Sequence, residues 1–454
     1  MRRTIAGPVL LALTLLILIP VGPARAGDVM RTPGDPVYAV RLRGGATGRA
    51  WRGTETITFT NLDASPMTTI YLRLWSNGVL GCDAGAIVVS DVEGGTAGPQ
   101  TRRCTVLPVA LDAPLASGGT TTISMRLSIH LPIRNDRFGA YRGLSLLGTA
   151  LPTLAVHDEL GWHLDPFVDL GESFYSVVGD YRVTLNVPAS LDTPTSGRRV
   201  SGRTVDSRRI TTYEAVDVRD FEWAAGRLSR VADRVGDTRV NVWFQSRGLT
   251  RDRALRALDD ATASLRTFSE AFGTFPYPEM DVVLTAFTSF GGMEYPTIIF
   301  TNTPRLTVSH EIAHQWWFGI VGDDEYAEPW LDEAFATWSQ YLPFGGWKRC
   351  DSFDFPSTED RLTNDMGFWN HHRTEYWTIY FGGGCLLANL ASRFGMDRFL
   401  EVLRGYAAAH WLGVARTADF TDAVETAAVT DLPGFDPATY WAQWRVDVSP
   451  GSPG

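Results

Sequence analysis

The chain has 454 residues, of which 44% are hydrophobic and 20% charged, and its formal net charge is −10. This composition is typical of a globular protein with two or three domains, and it excludes collagen-like, coiled-coil and low-complexity chains. Because no basic stripe accompanies the acidic balance, we expect no nucleic-acid partner.

Residues 1–26 are predicted to be an export signal. Arg2 and Arg3 precede an uncharged stretch from Ala6 to Ala24, and Ala24-Arg25-Ala26 then forms a small-x-small cleavage site. The uncharged stretch is nearly long enough to span a bilayer, so an uncleaved membrane anchor is the alternative. The sequence therefore predicts a secreted or cell-envelope protein that contacts a membrane only if the signal is retained.

The four cysteines of the chain fit two disulfide bonds, as expected in an exported protein. Three pairings are possible. Sequence proximity favours Cys82–Cys104 and Cys350–Cys385, one in each predicted domain, and buried free thiols are the alternative. No CxxC spacing occurs, so metal binding by these cysteines is not expected.

Residues 27–238 are predicted to form an antiparallel β-rich domain. Short runs of β-forming residues alternate with Gly, Pro, Asn and Asp, as in Glu55–Thr60, Thr121–Leu127 and Tyr181–Val187. The segment Leu151–Tyr175 is richer in aromatic and acidic residues, including Trp162, His163, Asp165 and Asp169. It is either a loop that reaches the active site or one that plugs the sheet.

Residues 239–448 are predicted to form a mostly helical domain, followed by a flexible tail at 449–454. Thr250–Phe272 is a helix with Thr250 as N-cap and Gly273 as its stop. Asp281–Phe287 is a strand, and Thr297–Phe300 continues the sheet edge after a Gly-Gly turn. Further helices are expected around residues 305–320, 330–342, 376–394, 396–409, 417–429 and 437–444.

The segment His310-Glu311-Ile312-Ala313-His314 predicts a hydrolytic zinc site. Residues four apart lie one turn above each other on an α-helix, so both imidazoles face the same way while Glu311 projects beside them. Glu333 follows in the helix-like run Trp330–Leu342. Two histidines and one carboxylate leave the fourth tetrahedral position of Zn²⁺ open, which is typical of a catalytic site.

Two other interpretations of this segment are possible. The pattern HExxHxxGxxH does not apply, because Trp317 and Ile320 occupy its Gly and third-His positions. Alternatively, both histidines are core residues and Glu311 is a surface charge. The apolar character of Leu306–Phe318, which has no Pro or Gly, favours the buried zinc helix.

With Gly291-Gly292-Met293-Glu294-Tyr295 and Tyr380-Phe381-Gly382-Gly383-Gly384 added, the chain resembles the aminopeptidase N family of gluzincin zinc metallopeptidases. The resemblance implies an α+β fold of two domains, in which a saddle-like β-domain precedes a thermolysin-like catalytic domain. It also implies His310, His314 and Glu333 as the ligands of one Zn²⁺ per chain. The family's WLNEGFA segment is here Trp330-Leu331-Asp332-Glu333-Ala334-Phe335-Ala336, which keeps the ligand Glu.

Catalytic roles follow from chemistry and from the same resemblance. Glu311 is expected to act as general base on a water molecule and then to protonate the leaving amine. The resemblance assigns Tyr380 to stabilising the oxyanion, with Tyr376 as a nearby competitor, although the family's YxKGA text is altered here.

Glu294 decides which kind of peptidase is expected. The resemblance makes it the anchor for a free α-amino group, while the backbone of Gly291, Gly292 and Met293 lines the substrate like an added strand. Tyr295 replaces the family's usual Asn. A solvated edge-strand Glu is the alternative.

Three further features were assigned minor roles. Asp323-Asp324-Glu325 could bind calcium, but a solvated loop between helices is the preferred interpretation. His371-His372 is expected to be an exposed pair. Glu328 is a candidate for orienting a ligand histidine.

The sequence thus predicts an exported zinc aminopeptidase that acts on peptides. The alternatives are a zinc endopeptidase with an open cleft and a catalytically silent, peptide-binding relative. Larger family members carry a helical C-terminal domain that closes over the cleft, and the chain ends soon after Trp444, so a more open cleft is expected. The sequence leaves the oligomeric state and the preferred N-terminal residue undecided.

Overall fold

Residues 31–82 and 85–448 are described by the computed structural model. The predicted export signal and C-terminal tail lie outside these residues. Among the described residues, no helix is both long enough and apolar enough to cross a membrane.

The described residues of the N-terminal half form β-strands and one single-turn helix. Its elements are β1 (Gly34–Gly44), β2 (Ala50–Thr60), β3 (Met67–Arg73), α1 (Asn77–Leu80), β4 (Ile87–Glu93), β5 (Gly95–Ala97), β6 (Val106–Leu115), β7 (Thr120–His130), β8 (Phe138–Tyr141), β9 (Leu144–Leu147), β10 (Thr153–Leu154), β11 (His157–Asp158), β12 (Gly161–Trp162), β13 (Gly179–Pro188), β14 (Arg198–Val205), β15 (Arg208–Val218) and β16 (Trp223–Gly226).

A seven-stranded sheet dominates this half, in the order β14-β15-β13-β1-β2-β7-β4. Buried and exposed residues alternate along all of β1, as expected for a strand with one face on the core. The predicted β-rich domain is therefore confirmed. Its pairing is antiparallel with one exception, because β1 and β13 run parallel.

The C-terminal half combines a smaller sheet with helices. Its elements are β17 (Ser229–Val235), β18 (Thr238–Phe244), α2 (Arg251–Phe272), β19 (Glu279–Leu284), β20 (Gly292–Met293), β21 (Ile298–Thr301), α3 (Arg305–Ala313), α4 (Trp330–Ser339), α5 (Met366–His371), α6 (Trp377–Phe394), α7 (Met396–Ala409), α8 (Thr417–Asp431) and α9 (Pro437–Gln443). The molecule is thus the predicted α+β combination.

The second sheet has the order β17-β18-β19-β21-β20. Because β17 pairs with β18, this sheet begins at Ser229, before the predicted boundary at residue 239. The expectation that Thr297–Phe300 forms the sheet edge is wrong. The strand Ile298–Thr301 lies inside the sheet, and the short β20 forms the edge beside it.

Two helices illustrate how local sequence determines helix ends. The Thr250 side chain accepts a hydrogen bond from the backbone N–H of Arg253 at 3.3 Å and α2 ends before Gly273, as predicted. In contrast, α3 ends at Ala313 instead of continuing to residue 320. The chain turns there, with Phe318 at φ 143° and the Gly319 N–H donating to the His314 carbonyl at 2.9 Å.

The two halves pack directly against each other. The Tyr277 hydroxyl donates to the Asp217 carbonyl at 2.6 Å, and the Asn135 side chain donates to the Ala286 carbonyl at 2.6 Å. Both predicted disulfide bonds, Cys82–Cys104 and Cys350–Cys385, are present and confirm the favoured pairing.

Candidate metal centre and active site

The zinc-binding candidates are carried by α3 and α4. His310 lies in the last turn of α3, and His314 caps that helix one turn later, with the two ring centroids 4.7 Å apart. Glu333 projects from the first turn of α4. Side-chain exposure is 14% for His310, 1% for His314 and 6% for Glu333, so all three side chains are largely shielded from solvent.

The three donor atoms form a compact triangle. His310 Nε2 lies 3.1 Å from Glu333 Oε2 and 3.1 Å from His314 Nε2, and His314 Nε2 lies 3.5 Å from Glu333 Oε2. Around a tetrahedral Zn²⁺ with bonds of 2.0–2.1 Å, donor atoms lie about 3.3 Å apart. The residues present therefore fit a zinc ion in both chemistry and spacing.

Neighbouring groups hold the ligands in the protonation states that a metal requires. His314 Nδ1 lies 3.1 Å from the Trp317 carbonyl, which only accepts, so Nδ1 carries the proton and Nε2 presents its lone pair. Burial lowers the pKa of His310, which favours the neutral imidazole. Burial alone would raise the pKa of Glu333, but hydrogen bonds with His310 and His314 outweigh it and lower that pKa.

Glu311 lies beside the donor triangle, under the backbone of β20. A Cβ at Gly292 would meet Glu311 Oε1 at 2.3 Å, so only glycine allows this approach. Burial, with the negative charges of Glu333 and Glu172, raises the pKa of Glu311 well above its usual value. A carboxyl group with a raised pKa is suited to accepting and returning a proton near neutral pH.

Glu294 follows the edge strand β20 and faces the same centre. It is 4% exposed, and its carboxylate lies within 4.8 Å of donor atoms of Glu311 and His314. The interpretation of Glu294 as a solvated edge residue is therefore wrong. Met293 is fully buried beneath it.

Gln315, which the sequence analysis did not single out, holds the backbone around Glu294. Its Nε2 donates to the Tyr295 carbonyl at 3.1 Å and to the Glu294 carbonyl at 3.3 Å, while its Oε1 accepts from the Thr297 N–H at 2.8 Å. Its place directly after His314 in the sequence was the available signal. These bonds fix the strand end that presents the Glu294 side chain.

Tyr380 reaches the ligand set from α6. Its hydroxyl donates to Glu333 Oε1 at 2.5 Å, and its ring lies 6.2 Å from that of His310. The competitor Tyr376 also borders the site, since its hydroxyl packs against Gly171 and the charges of Glu333 and Glu172 add to the burial that raises its pKa. Of the two tyrosines, Tyr380 is the one with its hydroxyl bonded to a candidate zinc ligand.

The glycine run after Tyr380 allows α6 to approach α4. A Cβ on Gly383 would lie 2.3 Å from the Ala334 Cβ, and one on Gly384 would meet Trp347 at 3.0 Å. This close packing brings Tyr380 to Glu333. The departure of this glycine-rich segment from the family's YxKGA pattern is therefore explained by helix packing.

Glu172 is a site residue that the sequence analysis missed. It is 8% exposed, comes from the N-terminal half and adjoins Glu333. Arg137 donates to its Oε1 at 2.9 Å and to the Gly171 carbonyl at 3.0 Å. Burial raises the pKa of Glu172 to about 7, although Arg137 opposes the shift. The segment Leu151–Tyr175 thus does reach the active site, but its composition alone did not indicate which residue does so.

The other polar residues of that segment lie elsewhere. His163 bridges two carboxylates, with Nε2 2.9 Å from Asp158 Oδ1 and Nδ1 2.8 Å from Asp324 Oδ2. Asp169 forms an exposed ion pair with Arg373 at 2.9 Å. Neither belongs to the zinc-binding set.

Two of the minor expectations are wrong. Asp323, Asp324 and Glu325 are not a solvated loop, because they are 5%, 7% and 1% exposed. Glu328 does not reach a ligand histidine, because its Oε1 accepts from the Thr417 N–H at 2.9 Å. Asp332 lies nearer to a candidate ligand histidine, with its Oδ2 3.9 Å from His314 Nδ1. His371 is exposed, as expected, whereas the ring of His372 stacks on Phe368 at 4.1 Å.

Comparison with known proteins agrees with this geometry. Residues 256–444, which contain all three donor residues, match the peptidase family M1 domain. These residues form a peptidase family M1 domain. The resemblance to the aminopeptidase N family is thereby confirmed, and such a domain implies zinc as the metal.

Curated relatives match over part of their length. Aminopeptidase M1-C of Oryza sativa subsp. japonica is 26% identical over 307 residues, covering 58% of this chain and 34% of the relative. Aminopeptidase M1 of Arabidopsis thaliana is 27% identical over 286 residues, covering 54% of this chain and 32% of the relative. The chain therefore matches about a third of the length of these relatives.

Solved structures extend the likeness of the fold to both halves. The M1 zinc metallopeptidase from Deinococcus radiodurans superposes with a TM-score of 0.64 at 19% identity, covering 94% of each chain. A variant of a two-domain M1 zinc metallopeptidase bound to L-tryptophan gives a TM-score of 0.64 at 19% identity, covering 94% of this chain and 95% of the other. The M1 domain and the β-rich half together thus form a known two-domain architecture.

Proposed function

We propose that the chain is a zinc-dependent aminopeptidase that removes N-terminal residues from peptides and binds one zinc ion. The observation that carries this proposal is the position of Glu294, whose carboxylate lies within 4.8 Å of donor atoms of His314 and Glu311. A negative charge so close to the proposed reaction centre is suited to binding a free α-amino group next to the scissile bond.

Glu172 supports the same assignment from the other half of the molecule. It and Glu294 interact electrostatically, and both are almost completely buried. Two buried carboxylates favour an ammonium group as their partner, since each gains a charge-assisted hydrogen bond that water cannot supply there. An endopeptidase has no need of this arrangement.

The substrate backbone is proposed to pair with the edge strand β20. Gly292 and Met293 pair with β21 on one side only, which leaves the other side of β20 for an added strand. Gly292 lies directly over Glu311, so a peptide on this edge would present its first peptide bond to that carboxylate. Backbone pairing of this kind positions a substrate without selecting its side chains.

Each side chain of the site is proposed to have a separate role in the reaction. Zn²⁺, when bound by His310, His314 and Glu333, supplies Lewis acidity that lowers the pKa of water and polarises a carbonyl group. Glu311 takes a proton from the attacking water and delivers it to the leaving amine. Tyr380 turns its hydroxyl from Glu333 to the developing oxyanion and stabilises it without adding charge.

We also propose that the protein is exported, by an N-terminal signal at residues 1–26. The basic start, the uncharged stretch and the Ala24-Arg25-Ala26 cleavage site support this proposal. The two disulfide bonds support it independently, because disulfides persist in oxidising compartments.

A panel of aminoacyl and N-acetyl-aminoacyl fluorogenic amides, with and without a chelator, tests the function. We expect hydrolysis of the free-amine substrates only, and loss of activity when zinc is removed. In Glu294→Gln, kcat/KM on free-amine substrates should fall by roughly 10- to 100-fold, because a charge-assisted hydrogen bond is lost. Equal cleavage of N-acetylated substrates by the wild-type protein would instead indicate an endopeptidase, and no cleavage with zinc bound would indicate a silent relative.

A further inference from the structure

A group of buried carboxylates lies next to the zinc-binding residues and is not explained by the proposed mechanism. Glu294, Glu325 and Asp332 each place an oxygen within 4.8 Å of the others, and we call these three residues the acidic cage. They are 4%, 1% and 2% exposed. Asp323, which is 5% exposed, is the strongest charged neighbour of both Glu325 and Asp332.

Hydrogen bonding satisfies only part of this group. Glu325 Oε2 accepts from the Phe174 N–H at 2.7 Å, and Asp332 Oδ1 accepts from the Glu333 N–H at 2.7 Å. Glu325 Oε1, Asp332 Oδ2 and both carboxylate oxygens of Asp323 are buried and have no hydrogen-bond partner among the described residues. A charged carboxylate that is buried without a partner is strongly unfavourable, and three such side chains in one place favour a shared positive group that a single one, such as Glu55, does not require.

Within the described part of the chain, protein cations form no bond to these oxygens, although the charge of Arg219 partly offsets the burial that raises the pKa of Asp323. Arg219 directs its guanidinium at backbone carbonyls, including those of Phe318 at 2.6 Å and Ser176 at 2.8 Å. Arg137 donates to Glu172 and Gly171. Within residues 31–82 and 85–448, no Lys or Arg forms an ion pair with the acidic cage or with Asp323.

We propose that the acidic cage binds a calcium ion, with Asp323 adding to the negative charge that attracts it. Calcium takes only oxygen ligands at about 2.3–2.6 Å, so oxygens on opposite sides of the ion lie about 4.8 Å apart. The spacing within the cage falls inside that limit. The all-carboxylate donor set also separates this site from the zinc site, which has two imidazole donors.

The calcium site would fix the position of the Glu294 carboxylate. Glu294 belongs both to the acidic cage and to the group formed with Glu311 and His314. The calcium proposal can be tested separately from the proposed peptidase activity, because metal content and thermal stability measure calcium binding directly. The ion would hold Glu294 in place whether or not that residue binds an amine.

Calcium binding by the zinc-loaded protein tests the proposal. The full-length mature protein, freed of other metals, is titrated with CaCl₂ to about 10 mM, which covers the weak affinities of extracellular calcium modules. Bound calcium and zinc are measured by equilibrium dialysis with elemental analysis, and Tm by thermal unfolding. We expect one calcium per chain in addition to zinc, and a rise in Tm of about 5 °C at saturation.

Three variants make the test specific. Glu325→Gln should abolish calcium binding and the rise in Tm while zinc content stays unchanged, and Asp323→Asn should weaken calcium binding at least tenfold. Glu55→Gln is the matched control, because Glu55 is fully buried on β2, has no partner for either oxygen in the described part of the chain and lies outside the cage. This control should keep the whole calcium-dependent rise in Tm.

The outcomes that overturn the proposal are clear. Wild-type protein that binds no calcium and shows no change in Tm up to the highest concentration would refute it, as would an undiminished rise in Tm in Glu325→Gln. A response to Mg²⁺ without one to Ca²⁺ would refute the calcium assignment. If Glu325→Gln does not fold, Asp323→Asn and the wild-type titration still decide the question.

Discussion

Glu311 shows how the environment of one residue combines a structural and a chemical role. Its carboxylate is 3% exposed and lies against Gly292, so its position is set by the close approach of α3 and β20. It is adjacent to the candidate ligand His310 but does not belong to the donor triangle. We therefore expect metal binding and proton transfer to be separable by mutation.

The first prediction is that Glu311→Gln keeps zinc and loses activity. The amide has the same shape but cannot take a proton, and general acid–base catalysis contributes about 10²- to 10⁴-fold to rate. Steady-state kinetics should show that loss in kcat/KM, while elemental analysis finds zinc as in the wild type. Undiminished activity would remove Glu311 from the mechanism, and loss of zinc would make it a structural residue.

The candidate ligand residues could be predicted from the sequence because the pattern that marks them is local. His310 and His314 are one helical turn apart, and Glu333 follows within a short segment. Glu172 could not be predicted in the same way. It reaches the site from the other half of the chain, and only tertiary packing, with Arg137 as its partner, determines which acid of Leu151–Tyr175 arrives there.

At the scale of elements, the contact between α4 and α6 controls the geometry of the site. Glu333 comes from α4 and Tyr380 from α6, and Gly383 lets the two helices approach until the Tyr380 hydroxyl bonds to Glu333. The glycine lowers the intrinsic stability of α6 but permits this packing.

The second prediction concerns Gly383→Ala. Its Cβ would lie 2.3 Å from the Ala334 Cβ, so α6 must move away from α4. We expect a loss of about 1–3 kcal/mol in the free energy of unfolding, as for other overpacked cores, together with a lower kcat. Denaturant unfolding and kinetics measure the two effects.

Gly405→Ala provides the matched control for that substitution. Gly405 lies within α7, and an added Cβ would meet no atom within 4 Å. Alanine there should stabilise the protein by about 0.5–1 kcal/mol through helix propensity. Equal destabilisation by both substitutions would contradict the packing explanation.

Element boundaries were predicted well where capping residues mark them and poorly where tertiary contacts decide. The ends of α2 follow from Thr250 and Gly273, which act within the helix itself. The apolar run after His314 suggested a longer α3, but Trp316, Trp317 and Ile320 are buried by a turn rather than by a helix face. The two-residue β20 is too short for periodicity to reveal.

At the scale of the whole molecule, charged side chains outside the zinc-binding set join the two halves. His163 bridges Asp158 of β11 and Asp324 of the loop between α3 and α4, and Arg416 adds a bond to Asp158 at 3.1 Å. Burial alone would lower the pKa of His163, but hydrogen bonds with Asp158 and Asp324 outweigh it and raise the pKa to about 10.

The third prediction is a loss of stability at alkaline pH. Because the pKa of His163 is raised in the folded state, its contribution is complete below the unfolded value of about 6.5 and disappears as pH rises through about 10. Urea unfolding across this range should show the free energy of unfolding falling with pH. His163→Gln should flatten that part of the profile, and an unchanged slope would contradict the assignment.

The two-domain architecture was predictable from the change in residue pattern, but the junction between the halves was not. The hairpin of β17 and β18 shows the same kind of β-forming residue pattern as the strands before it, yet it belongs to the second sheet. Strand partners are chosen by long-range packing, which a pattern of residues along the chain does not record.

The parallel pairing of β1 with β13 has a consequence for how the protein acquires its structure. Val37 lies opposite Asp180, and β1 occupies the middle of the seven-stranded sheet, although it is the first strand in the described part of the chain. Pairings between strands this distant in sequence slow folding, because closing a long loop costs conformational entropy before any contact compensates for that cost. An emerging polypeptide therefore cannot pair β1 with β13 until the chain has been synthesised to Pro188, and the whole sheet is complete only after Val218 of β15.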